Sequence, residues 1–156
     1  MLALAARIWL GSTWAASPPL SLVGEELTWE VRYLGVLAGY ARGRVSAGES
    51  GAWVIEGWAK NAPWYADIYT IDDHVVSTWR PREGSLRYQT RFREGRFHQD
   101  QDMQWTDDGT AVSVSRHQRF RDDAGAWEWR DGTTDYDTVK GVEDPVSAMY
   151  ALRHGD

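Results

Sequence analysis

The chain has 156 residues, a formal net charge of −6 and no cysteine. That length suits one domain with a real core and is short for two. The acidic balance disfavours nucleic acid, whose phosphates call for a concentrated basic surface, and the missing cysteine excludes disulfides, thiolate metal sites and a cysteine nucleophile. Ten tryptophans, seven tyrosines and three phenylalanines are the unusual feature. Aromatics suit half-buried pleated surfaces, where most serve core and cross-strand packing; stacking on a ligand is their other use.

Residues 1–17, MLALAARIWLGSTWAAS, make a short apolar run, interrupted by Arg7 and ending in Ala15, Ala16 and Ser17 before Pro18 and Pro19. This pattern reads as a secretory signal segment in preference to a cytosolic N-terminal helix, and it is too short for a spanning helix. Export to the periplasm, or otherwise out of the cytoplasm, is the expected address, with no transmembrane span. Residues 18–23 read as a linker, and 24–156 as a single antiparallel β domain.

Within that domain the segment GEELTWEVRYLGVLAGYA, residues 24–41, alternates Leu27, Trp29, Val31 and Tyr33 with Thr28, Glu30 and Arg32. A side-chain period of two predicts a half-buried strand over 25–34, and the small residues around Gly35 predict a hairpin to a second strand over 37–47. A third strand over 52–60 carries Trp53 on one face and Trp58 on the other. Strands are expected over 64–71 and 75–80, then over 86–93 and 96–105 around Glu94-Gly95, over 111–120 after Asp107-Asp108-Gly109, and over 126–130. Residues 131–142 show no period and read as an irregular crossing segment. The end is helical: Asp144 as N-cap, Pro145 at the first helical position, and Val146, Met149, Tyr150 and Arg153 at helical spacing. Met149, Tyr150 and Leu152 are expected to supply apolar surface to the sheet. Eight to ten short strands at spacings near ten residues predict a mainly β fold, an antiparallel, strongly curved sheet or incomplete barrel with a short C-terminal helix packed on it.

Chemistry is harder to find. His98, Asp100 and Asp102 share one strand face, a set that could hold a divalent metal, but the polar run around them reads as a solvent-facing edge strand and no metal is assigned. Arg80, Arg82, Arg87, Arg91, Arg93 and Arg96 crowd one region, interleaved with Glu83 and Glu94, which again reads as a solvated sheet face. There is no Gly-x-Ser-x-Gly elbow, phosphate loop or dinucleotide fingerprint, so no catalytic residue and no cofactor is expected.

The opening block GEELTWEVRYLGVLAGYA and the terminal block DPVSAMYALR, in this order across β-rich sequence, resemble the bacterial exported-protein family catalogued as domain of unknown function 3108; the segment YTIDDH, Tyr69–His74, fits the same run of short strands. The resemblance covers residues 24–153. It implies an envelope-located antiparallel β protein with no established chemistry, and it implies a member lacking the family's C-terminal part, since the family continues past the second block. The leading expectation is a non-enzymatic binder of a lipid or other apolar small molecule on an aromatic concave sheet face, through Trp29, Tyr33, Tyr40, Trp53, Trp58, Trp64, Tyr69 and Trp79. The rivals are glycan binding by exposed tryptophans and a structural module that docks an envelope protein partner through a free sheet edge.

Overall fold

A computed structural model describes residues 22–154, and the signal-like segment of residues 1–17 lies outside them. Eight strands run β1 (Glu26–Tyr33), β2 (Val36–Ala47), β3 (Trp53–Asn61), β4 (Asp72–Arg80), β5 (Gly84–Glu94), β6 (Phe97–Trp105), β7 (Ala111–Arg121) and β8 (Trp127–Asp137). Every strand pairs antiparallel with the next, in the order β1 to β8, as a meander. Among the described residues β1 and β8 pair on one side only, so the sheet is open. Among the described residues two α-helices are attached: a single turn, α1 (Pro63–Ala66), between β3 and β4, and α2 (Pro145–His154) at the end, with a 3-10 turn at Glu49–Gly51 between β2 and β3.

The expected hairpins form where small or left-handed residues permit them. Leu34 and Gly35, both at positive φ, make the two-residue link between β1 and β2, a geometry whose twist matches that of the flanking strands. Two expectations about the chain's middle and end are corrected. Residues 64–71 are not a strand: Pro63 starts α1, and the buried Asn61 then clasps the returning chain, its amide donating to the Tyr69 carbonyl (2.6 Å) while its Oδ1 accepts from the Ile71 amide (2.9 Å). A side chain thus supplies the hydrogen bonds that a ladder would have made. Residues 131–142 are not wholly irregular either, because β8 continues to Asp137. It lacks a period because every one of its residues is exposed, leaving no buried face to impose alternation.

The core lies between α2 and the first half of the sheet. Leu22, Val45, Ile55, Trp79 and Tyr150 form its buried cluster, with Trp53, Val146 and Ala151 against it. Leu22, at the end of the expected linker, is therefore packed into the domain. Trp53 meets Trp79 edge to face at 5.4 Å between ring centroids, the arrangement that the ring quadrupoles favour. The helix seats Val146, Tyr150 and Ala151, while Leu152 is 84% exposed and Met149 largely so. Leu152 therefore does not supply the sheet contact expected of it.

A buried polar clamp fixes α2 in place. Asp144 Oδ1 accepts from the Val146 and Ser147 amides (2.8 and 3.0 Å), the N-cap expected from the sequence. Its other oxygen, Oδ2, accepts from Ser77 Oγ on β4 (2.7 Å) and lies 2.7 Å from Ser85 Oγ on β5. The Asp144 amide donates to Ser85 Oγ, which also lies 2.8 Å from Ser147 Oγ. All four side chains are buried, so the carboxylate's desolvation is offset by a full set of donors. Beside it Trp79 Nε1 donates to Glu143 Oε1. At the far end of α2, Arg153 forms a two-pronged ion pair with Glu25, just ahead of β1.

Candidate functional site

The alternation of each strand divides the sheet into two faces with different chemistry. On the helix side, β2 and β3 contribute Val45, Ile55 and Trp53 to the core at one end and only small residues beyond it: Gly39, Ala41 and Gly43 beside Gly57 and Ala59. This floor is small by necessity in places. A Cβ at Gly39 would stand 2.6 Å from the Lys60 carbonyl oxygen, and one at Gly57 would stand 2.9 Å from a Val75 methyl. Larger side chains rise around it, so the sheet carries a trough with an apolar lining.

The trough has two halves that meet at Ala59. One, of about 300 Å³, runs under α2 between Trp29, Val75, Phe92, Met149 and Tyr150. The other, of about 380 Å³, lies at the tip of the first hairpin between Val31, Tyr33, Val36, Trp64, Tyr65 and Ile71. Trp64 is held there by its indole N–H, which donates to the Leu37 carbonyl (2.8 Å), so α1 acts as an end wall. Ligand pockets commonly fall in the range of about 300–1,000 Å³, with apolar lining and few polar groups. Asp73 and Lys60 are charged residues at its margin.

Of the aromatic residues singled out by sequence, the structure gathers Trp29, Tyr33 and Trp64 around this trough. Tyr40 borders the tip half, although its register puts it on the opposite face with Arg42. Trp79 is 0% exposed and belongs to the core with Trp53. Tyr69 packs over Gly95 in the β5–β6 turn, where a Cβ would come within 2.5 Å of its ring. Trp58 projects to the other face and stacks on His74, 5.1 Å between centroids and 14° between planes. Sequence reasoning missed the floor: glycine and alanine at alternate positions of two adjacent strands are the signal that marks it.

The opposite face is polar and its charges are matched. Arg42 meets Glu26, Arg44 meets Glu56, Arg91 meets Asp72, Arg93 meets Asp100, and Arg87 holds Asp102 through two bonds of 2.9 and 2.6 Å. The Arg87 guanidinium, by its hydrogen bonds, keeps the Asp102 carboxyl below the usual range despite partial burial. The strand that carries His98, Asp100 and Asp102, β6, is not the edge strand expected but lies between β5 and β7, so Asp100 and Asp102 both meet arginines of β5, and His98 lies beside Trp129 instead. No cluster of three or more His, Asp or Glu side chains suited to a metal ion occurs among the described residues. His117 Nδ1 lies 2.6 Å from Asp131, two parts of a hydrolytic triad. The neighbouring Ser115 hydroxyl pairs with Thr133 (3.2 Å), and among the described residues no serine is bonded to that imidazole.

No protein family model matches the chain, no curated protein does, and no solved structure does.

Proposed function

We propose that this protein is a non-enzymatic binding protein of the bacterial envelope, exported by its N-terminal segment, that holds an acyl chain or similarly apolar ligand in the trough on the helix side of the sheet. The observation that carries the reading is the floor of Gly39, Ala41, Gly43, Gly57 and Ala59, which leaves a hollow walled by Trp29, Tyr33 and Trp64. A sheet face that served only as core would fill such a hollow with large side chains, since interiors pack to high density. The resemblance of the first hairpin and of DPVSAMYALR to domain of unknown function 3108 belongs to the same reading, and supplies its envelope address. No helix of the described residues is long and apolar enough to cross a membrane.

The test is titration with the fluorescent fatty acid cis-parinaric acid. Saturable binding is expected, weakened at least about tenfold by Ala59→Phe, which places a ring where the two halves meet, a loss of roughly 1.4 kcal/mol. Trp127→Ala, on the edge strand β8 and outside the trough lining, should leave affinity within about twofold of the parent, a difference of under roughly 0.5 kcal/mol. Absence of saturable binding, together with no lipid in mass spectra of protein purified from its native envelope, would overturn the reading.

A further inference from the structure

The polar face holds a hollow of its own, larger than either half of the apolar trough, with a volume of about 590 Å³. It crosses β4 to β8 and is lined by His74, Gln89, Arg91, Asp102, His117 and Asp131 among others. Parallel ring stacks stand at both ends. Trp58 lies on His74 at one, and at the other Trp129 lies on His117, 4.4 Å between centroids and 4° between planes. His74 and His117 sit on β4 and β7, three strand spacings apart, or roughly 14 Å.

Three properties of this hollow define what would fit it. Asp100 and Asp102 are each paired with an arginine and Asp131 lies 2.6 Å from His117 Nδ1, so the hollow offers little net field to attract a polyanion or a polycation. The matched pairs keep their geometry while retaining spare lone pairs and N–H groups, because a guanidinium has five donors and a carboxylate about four acceptor sites. Some capacity is plainly unused: His74 Nε2 is buried without a hydrogen-bond partner among the described residues, a condition that calls for an explanation. Gln89 stands between Val76 and Asp102 across the sheet, placing an amide at mid-hollow. Trp129, 44% exposed on the edge strand, offers an aromatic surface at one end.

We propose that this hollow is a second binding site, for a neutral oligosaccharide, whose hydroxyls would take up the oriented donors and acceptors while a ring packs on Trp129. Uncharged polyols match such a lining because they both donate and accept, and their C–H faces suit an indole. The site stands independently of the apolar trough, which opens on the other side of the sheet.

Calorimetric titration of the full chain with cellohexaose, maltohexaose and chitohexaose tests it, with a heparin hexasaccharide as the charged control. At least one neutral probe should bind with an affinity that is nearly independent of salt. Trp129→Ala is expected to weaken that binding roughly five- to tenfold, with Trp129→Phe retaining most of it. Gln89→Ala should weaken it as well, and serves if the tryptophan variant does not fold; Trp29→Ala, in the apolar trough, should not. Failure of all three neutral probes, binding of heparin alone, or binding indifferent to both Trp129→Ala and Gln89→Ala would overturn the proposal.

Discussion

The two faces of this sheet are made from the same strands, yet they handle polarity in opposite ways. On the helix side, the polar groups beneath α2 are buried and committed to one another: Asp144, Ser77, Ser85 and Ser147 bond in a closed set. On the other side they are many, largely exposed and joined in arginine–carboxylate pairs along neighbouring strands. The contrast teaches where stability resides. A buried group that loses its partner bears the whole cost of desolvation, whereas an exposed ion that loses its partner returns to water.

The sharpest way to break the comparison is Asp144→Ala. It removes the helix cap and takes the carboxylate acceptor from the buried Ser77 and Ser85 hydroxyls, of which Ser85 keeps its bonds to the Asp144 amide and Ser147, so a loss of about 2–4 kcal/mol in urea unfolding is expected. A loss below about 1 kcal/mol would place Asp144 among the surface pairs. Next in size is an alkaline transition. Burial, helped by the nearby Asp144 charge, pushes the Tyr88 phenol up to about 12. Because its folded value lies above the unfolded one, the stabilisation is complete below about pH 10 and is lost as pH rises toward 12. Burial raises the Tyr150 phenol as well, so tyrosinate absorbance should show two late-titrating groups, and urea midpoints should fall across that window; simultaneous ionisation of all tyrosines near pH 10 would contradict it.

A smaller effect is expected on the acid side. The Arg153 hydrogen bonds hold the Glu25 carboxyl below its usual range, the larger of the opposing influences there. A lowered folded value means stability that is present at neutral pH and lost as pH falls through that value. Arg153→Ala should cost up to about 1 kcal/mol at neutral pH and flatten the acid-side slope of stability, as followed by urea unfolding at a series of pH values. Smallest of all is the Arg87–Asp102 pair, for which a double-mutant cycle should return a coupling of only about 0.2–1 kcal/mol, largely removed by salt. A coupling above about 2 kcal/mol would mean that this polar face is itself structural.

The same contrast explains what was legible beforehand. The capped helix at Asp144 was readable from spacing alone, and so was the hairpin of Trp29 and Val31, although β1 is exposed along nearly its whole length and not half-buried as its alternation suggested. β8 was not, since exposure along its whole length leaves alternation with nothing to report. The aromatic run from Trp64 to Ile71 suggested a strand, but Asn61 supplies its bonds from a side chain. Ser77 and Ser85 lie 67 and 59 residues from the carboxylate they serve, a distance over which local patterning carries no information. The aromatic set was recognised as unusual, whereas its division among trough, core and polar face depends on register, which is a property of strand pairing.

The clamp at Asp144 also sets an order of events during synthesis. A meander pairs each strand with the one just made, so its ladders close over short loops and can form as the chain emerges. The core cannot close in that way, because Tyr150 and Val146 complete the cluster around Leu22, Val45, Ile55 and Trp79. A nascent chain that has reached only Val142 therefore carries a finished ribbon with Trp79 and the small-residue floor uncovered, a form suited to capture by a holding chaperone. The final helix is thus a latch on the core, and a chain ended at Val142 is expected to be cut faster in limited proteolysis than the full chain.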